Sequence, residues 1–421
     1  MKNGEETANG VPTAAVDFGG ATVRVLAAEM LPNRAIRLVG VGEAASAGVD
    51  EGRVINMEEA SASLQNALRE AELMSRRKIT SAWAAVTGAH IAGIDASGTT
   101  VVDDPEGVSP GDIKEVKRQA EAEAENHNGK KVIATLERYY ELGGHKGVQR
   151  PLGMSGSKLS GGMHLVLASV NALADWEKCL LQSGVETESQ FTFSALAAAP
   201  AVLTEDEKQL GVCIADIGAS TTDVAVFHRG AVAGVFSFSM ASDDIHRDIA
   251  EVHHASLESA ERAKKTIGLA GDSGEFVSLL EAGGGGESRQ SLAVVRDTIA
   301  HRADEILETI GRRLDEIGGG ENRDGRRLAA GIVLVGDGAL LPGLAAAASA
   351  KLGMPARVGR PLYRGENHES ISSPRFAVAA GLLQTAAARR EERRAARSGG
   401  LRTACRNFLA RVFGGRPPES E

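Results

Sequence analysis

A short turn, Val16-Asp17-Phe18-Gly19-Gly20, returns about two hundred residues later as Ala215-Asp216-Ile217-Gly218-Ala219-Ser220-Thr221-Thr222-Asp223. Each follows an apolar, strand-like run (14–16; 211–215) and leads into a second alternating run (23–27; 224–227). The spacing predicts two hairpins, each with Asp at the entrance of a small glycine-containing tip. Gly at such a tip lets backbone N–H groups approach a phosphate closely. The Asp can hold an accompanying Mg²⁺ through water, because Mg²⁺ keeps most of its hydration shell. One such turn is also what an ordinary tight hairpin needs, since Asp and Gly are turn residues anyway. Two of them, near the starts of two halves of the chain, predict a nucleotide clamped between similar domains.

A third piece is Gly331-Ile332-Val333-Leu334-Val335-Gly336-Asp337-Gly338-Ala339, which reads as a buried strand entering a Gly-rich turn. Leu340-Leu341-Pro342-Gly343 then opens an Ala-rich helix over 344–352. Hairpin, hairpin, strand–turn–helix resembles the two phosphate loops and adenosine loop of the actin/Hsp70/sugar-kinase superfamily.

Composition sets bounds on this reading. At 421 residues the chain has room for two or more domains. Aromatics are only 4%, so the cores must be built from Ala, Val, Leu and Ile. Three cysteines (Cys179, Cys213, Cys405) lie far apart without metal-ligand spacing, which fits a reduced cytosol. Residues 1–12 read as a polar, frayed tail rather than a signal peptide. No run of about 18 apolar residues is present, so nothing is expected to span a bilayer. Net charge is −9, unevenly placed. Residues 386–416 hold nine Arg and two Glu (+7), and Glu419 and Glu421 subtract two, leaving −14 on 1–385. An acidic body argues against a nucleic-acid partner, which needs a basic face on the fold itself.

Strands are expected at 14–17, 23–28, 36–41 and 82–86, with a helix from Met57 to Ser75. That helix carries an apolar stripe of Leu64, Ala67, Leu68, Ala71 and Leu73. Helical patterning follows at 112–126, 242–253, 256–269 and 292–316, and extended segments at 131–140 and 163–170. Gly283–Gly286 and Gly318–Gly320 read as flexible loops.

These pieces together resemble FtsA, the bacterial cell-division actin homologues. The most specific stretch is 202–212 (V-L-T-E-D-E-K-Q-L-G-V), just before the second Asp-x-Gly turn. Also similar are 67–74 (A-L-R-E-A-E-L-M), 88–91 (G-A-H-I) and 151–156 with Leu159. Further matches are 260–264, Arg302 with 305–307, and 374–382. The resemblance implies an α/β, actin-like two-lobed ATPase fold with a small subdomain inserted in the first lobe and a C-terminal amphipathic helix. The implied partition is 13–84 with 166–205 (first large subdomain), 85–165 (insert), 206–245 with 325–385 (second), and 246–324 (cap). It also implies a peripheral membrane protein of the division septum. Such a protein assembles with itself, holds the C-terminal peptide of FtsZ on its cap, and works with later divisome proteins. Arg302 and Glu305 match cap positions that pair with that peptide's charges; residue by residue, charges at i and i+3 are otherwise a solvated helix face.

The implied cofactors are ATP and Mg²⁺. Asp17, Gly19, Gly20 and Thr22 would serve the first phosphate loop, and Asp216, Gly218, Thr221 and Thr222 the second. Asp17 and Asp216 would hold the metal. Gly336, Asp337 and Gly338 form the adenosine loop, and Glu261 and Lys264 line its ribose and adenine side by resemblance. The chain departs from the family pattern at Gly20 and Ala21, where the family usually has hydroxyl residues, at Ala219 and Ser220, where it has two further glycines, and at Val335 and Asp337, where its adenosine loop reads Thr-Gly-Gly. A carboxylate at Asp337 facing phosphate or adenine is costly without a compensating cation. Two readings stay open: altered ATP binding, or a cleft in which the same residues only shape turns. No Glu, Gln or His beside these loops is identifiable as orienting an attacking water, so no catalytic residue and no enzymatic activity is assigned.

After an Arg-rich stretch read as a basic linker (386–400), Leu401, Cys405, Phe408, Leu409, Val412 and Phe413 recur on one helical face. Arg402, Arg406 and Arg411 lie beside or opposite it. A basic amphipathic helix over 401–414 lies naturally in an anionic membrane surface; packing on a partner protein or on the body is the alternative. Other classes open to the sequence are an ATPase or kinase of the same superfamily, and an actin-like pilus-assembly protein.

Overall fold

Alternating apolar residues make the first strands, and the turns between them fold these strands back on one another. β1 (Thr13–Phe18), β2 (Thr22–Met30) and β3 (Ile36–Ala45) form an antiparallel meander, followed by the short pair β4 (Val49–Asp50) and β5 (Arg53–Val54). The structure is a computed structural model that describes residues 12–31, 35–104, 106–124, 127, 129–189, 191–270, 274–318, 328–362 and 368–397. Helix α1 (Met57–Ser75) starts where the Asn56 side chain accepts the Glu58 and Glu59 N–H groups, two donors the helix cannot satisfy itself. It buries Leu64, Ala67, Leu68 and Ala71. Leu73, expected in the same stripe, is 74% exposed; two residues past Ala71 it points away from that face. β6 (Ser81–Val86) then enters parallel to β1.

The chain next leaves for an inserted subdomain: β7 (Ala92–Val101), α2 (Pro110–Glu123), β8 (Lys130–Leu142), β9 (His145–Val148) and β10 (Lys158–Ser169). β6 runs to Val86 and β10 to Ser169, so the insert is bounded at those residues rather than at 85 and 165. It has its own small core, in which Val116 and Ala120 of α2 meet Tyr140, Leu159 and Met163. The first lobe closes with α3 (Val170–Gln182), β11 (Glu186–Thr187), β12 (Thr192–Phe193) and α4 (Ser194–Val202).

A short helix, α5 (Glu205–Leu210), leads on under a reciprocal Thr204–Glu207 cap. The second lobe then repeats the first. β13 (Val212–Ile217), β14 (Thr222–His228) and β15 (Ala231–Phe238) form another antiparallel meander. Its cap comprises α6 (Ser242–His253), α7 (Leu257–Ile267), the hairpin β16 (Phe276–Leu280) and β17 (Glu287–Ser291), and α8 (Leu292–Gly318). Sequence patterning contains no such hairpin; the glycines at 283–286 are its connection. β18 (Gly331–Val335) lies parallel to β13 as β6 does to β1, and α9 (Leu344–Leu352) and β19 (Ala356–Val358) follow.

The order β6-β1-β2-β3 in one sheet thus matches β18-β13-β14-β15 in the other. The insert's strands extend the second sheet through a single pairing, Phe236 with Ala92. One continuous core joins the facing sides of both lobes through α4 and α10 (Ala377–Arg397), and a second lies between the second sheet and the cap. The stretch 386–397, expected as a linker, continues α10, with Ala386 and Ala387 buried. Ala, Glu and Arg are good helix formers, and no Gly or Pro interrupts before Gly399. The amphipathic segment 401–414 and residues 1–11 lie outside the described residues.

Candidate functional site

The repeat in topology places the two Asp-x-Gly turns face to face. Phe18 pairs with Val23 and Ile217 with Thr222, so residues 19–22 and 218–221 are corresponding four-residue tips. In the second tip, the Gly218 N–H donates to the Thr221 carbonyl at 2.9 Å. The tips nearly touch: a Cβ built on Gly20 would lie 2.9 Å from Ser220 Oγ. The cleft between them is lined by Asp17, Gly19, Gly20, Thr22, Asp216, Gly218, Thr221 and Gly336. It opens into a space of about 340 Å³ beside Glu261, Lys264, Asp337 and Gly338. These twelve expected site residues therefore converge.

Thr222 does not join them. Its side chain is fully buried and its hydroxyl donates to the Met240 carbonyl at 2.7 Å, on the opposite side of the strand from Thr221. Neighbouring strand residues face opposite ways, so only one of the two threonines can reach the cleft.

Three carboxyls sit in the cleft floor. Burial pushes Asp17 up to about 6, with Arg24 opposing and Asp337 and Asp223 adding to the rise. Burial, then Asp17, Asp223 and Asp337, carry Asp216 well above the usual carboxylate range. Burial also lifts Asp223 to about 6, against the pull of Ser237 and Thr87. The Thr87 hydroxyl, at the end of β6, donates to Asp223 and is 2.7 Å from Thr221 Oγ1, so it ties the lobes together at the back of the cleft. Desolvated acids that raise one another's pKa are a site that a divalent cation would relieve. Among the described residues no three His, Cys, Asp or Glu side chains are grouped as direct metal ligands. Asp17 and Asp216, which line the cleft together, suit an ion held largely through its own waters.

The cation that Asp337 needed is Arg24, which the sequence reading missed. Arg24 on β2 is 4% exposed; its Nη2 donates to Asp337 Oδ2 at 2.6 Å and its Nε to Glu43 Oε2 at 3.0 Å. Burial works against its charge, but Asp337 and Asp17 outweigh it and hold the guanidinium above its ordinary range. Arg375 lies on the other side of Asp337, Nε to Oδ1 3.4 Å. A signal for Arg24 exists: a single charged residue inside the apolar run Val23-Arg24-Val25. Arg24 pairs across its hairpin with Asp17, as Asp223 does with Asp216. The repeat thus puts opposite charges at one symmetric position.

Gly336 and Gly338 are needed for close packing. Gly336 has φ +85°, and a Cβ there would lie 2.5 Å from both Asp216 Oδ1 and the Ile217 carbonyl. On the adenosine side, the Lys264 ammonium donates to the Ser242 carbonyl at 2.9 Å and lies 3.1 Å from His246 Nδ1; burial lowers its pKa. Glu261 pairs with Lys265 at 2.6 Å. On the cap, Arg302 is already forked onto Asp248 (2.7 and 3.0 Å) and bonded to Glu305 (2.7 Å), so neither charge waits unpaired for a peptide.

Two duplicated lobes, a cleft between their tips and an insert in the first lobe define an actin-like fold. The solved PilM-PilN type IV pilus biogenesis complex shares that fold, with a TM-score of 0.62 at 18% identity over 89% of this chain and 98% of that one. A family model for the cell division protein FtsA matches residues 213–381, and one for the SHS2 domain inserted in FtsA matches 88–167. The chain is 32% identical over 372 residues to the cell division protein FtsA of Pseudomonas aeruginosa, covering 87% of each. It is 30% identical over 374 residues to that of Escherichia coli K12, covering 87% of this chain and 88% of that one. The chain belongs to the FtsA family of cell division proteins.

Proposed function

We propose that this protein is a self-assembling, peripheral membrane tether that holds the C-terminal peptide of FtsZ at the inner face of the cytoplasmic membrane during septum formation. The observation that supports it most is that family likeness extends over the insert and the second lobe (88–167; 213–381) and, by identity, over most of the chain. Among the described residues no helix is long and apolar enough to cross a membrane. The membrane contact is proposed for the segment 401–414, whose sequence sets Leu401, Phe408, Leu409, Val412 and Phe413 on one helical face with Arg402, Arg406 and Arg411 beside it. The kinase and pilus-assembly alternatives draw on the shared fold alone.

The cleft is proposed to bind ATP with Mg²⁺. Asp17 and Asp216 would hold the hydrated ion, the tips at 19–22 and 218–221 the phosphates, and Glu261 and Lys264 the nucleoside side. Bound Mg²⁺ would neutralise phosphate and carboxylate charge together. The role proposed is binding rather than turnover, because among the described residues lining the cleft between the tips no Glu, Gln or His stands ready to orient an attacking water. Purified protein mixed with anionic vesicles, FtsZ C-terminal peptide and MgATP tests the proposal. Co-sedimentation of peptide with vesicles only when the protein is present is the expected result. Peptide left in solution while the protein sediments would refute the tether.

A further inference from the structure

Resting on the nucleotide reading above, we propose that Arg24 and Arg375 form a phosphate notch in which the Asp337 carboxylate stands in for a nucleotide phosphate. Both guanidiniums converge on this one carboxylate, at the point where the cleft between the tips opens toward Glu261 and Lys264. Guanidinium is a planar fork of donors that suits phosphate as well as carboxylate.

The two ends of the pair differ in mobility. Arg24 is mid-strand, its side chain only 5% exposed, held through Nε by Glu43 and lying 5.9 Å over the Phe376 ring. The Asp337 side chain is 35% exposed on the loop leaving β18. Its carboxylate is the end able to swing away, and Arg24 is the fixed receptor. Arg375 adds an independent sign of an unfinished site: its Nε is shielded from water and makes no hydrogen bond, although it is 3.4 Å from Asp337. An incoming phosphate would complete both. With Asp337 in place one of the notch's two positive charges is already offset, so nucleotide has to displace an internal competitor before it binds.

Calorimetric titration of the full chain with MgATP and with magnesium pyrophosphate, which carries no base, tests this. Asp337→Asn keeps the shape of the loop and removes the competing charge; it should bind both probes about tenfold more tightly than the parent. Arg375→Gln changes a side chain that is 39% exposed and leaves the core intact; combined with Asp337→Asn it should erase much of that gain. Arg24→Met in the same background should erase the rest, provided thermal unfolding shows a folded protein. If Asp337→Asn binds no tighter while Asp216→Ala still weakens the parent, the notch is wrong and the nucleotide reading stands. A gain for MgATP but not for pyrophosphate places Asp337 against the base and overturns the notch. Absence of binding in every variant overturns both.

Discussion

Asp223 is 1% exposed on β14, and it accepts the Thr87 hydroxyl while burial holds its carboxyl near 6. Its native pKa lies above the unfolded value of 3.8. Between those values the native state binds more protons than the unfolded one, so the stability gained by protonation is complete below about 3.8 and is lost as pH rises through about 6. The difference between about 6 and 3.8 bounds this at about 3 kcal/mol. In EDTA, thermal unfolding should therefore occur at higher temperature at pH 5.5 than at 7.5, and Asp223→Asn should flatten the difference. A Tm that rises with pH over this window would contradict the buried-acid account. Gly336→Ala belongs to the same scale. Its Cβ would collide with Asp216 and the Ile217 carbonyl in a left-handed backbone, and a loss of about 2 kcal/mol or more in denaturant titration is expected. Turn chemistry made Asp17, Gly19, Asp216 and Gly218 legible in the sequence, because local spacing alone requires them. Arg24 was not, because its meaning depends on Asp337, which is 313 residues away. Thr222 was misread because a strand's alternation decides which threonine faces the cleft.

At the scale of elements, local patterning located α1, α6 and α9 with the limits the structure shows, because each has a cap or a glycine at its end, and α1 and α6 each have one apolar face. It failed at the β16–β17 hairpin, whose strands expose Phe276 and Leu280 and so show little inward-facing pattern. It failed again at α10, where an Arg-rich composition suggested a tether. Instead, α10 docks along the first sheet, with Arg389 5.1 Å over the Trp83 ring, and packs against α4. The contact with α4 is close because position 381 is glycine; a Cβ there would overlap the Ala197 carbonyl oxygen. Gly381→Ala should cost about 1–3 kcal/mol by forcing the two helices apart. Gly283→Ala, where nothing lies within 4 Å, should be nearly neutral. Equal midpoints for the two variants in urea unfolding would show that the α4–α10 contact yields more readily than its packing implies.

For the whole molecule, the repeated meander with its parallel fourth strand explains why two weak turn motifs together marked a cleft. Duplication carries both tips to one place, and the shared core through α4 and α10 holds the lobes that present them. The body so formed is acidic, so attraction to an anionic surface has to come from outside it. Beyond α10, residues 398–416 supply four Arg, three of them (Arg402, Arg406, Arg411) within the amphipathic stretch beside Phe408 and Phe413. Each cation near such a surface is worth about 1 kcal/mol, and the apolar face adds partial burial. On the tether proposed above, one such tail would bind weakly and reversibly, and firm attachment would need several tails held together by assembly of the bodies. Deleting 401–421 should therefore leave the thermal unfolding of the body unchanged while abolishing sedimentation with anionic vesicles. Phe408→Glu should act similarly, by placing a carboxylate in the apolar face. Raising salt should weaken the parent's binding, since its Arg attraction is screened. Binding that persists in the deletion variant would place the membrane contact on the folded body and remove the amphipathic segment from the account.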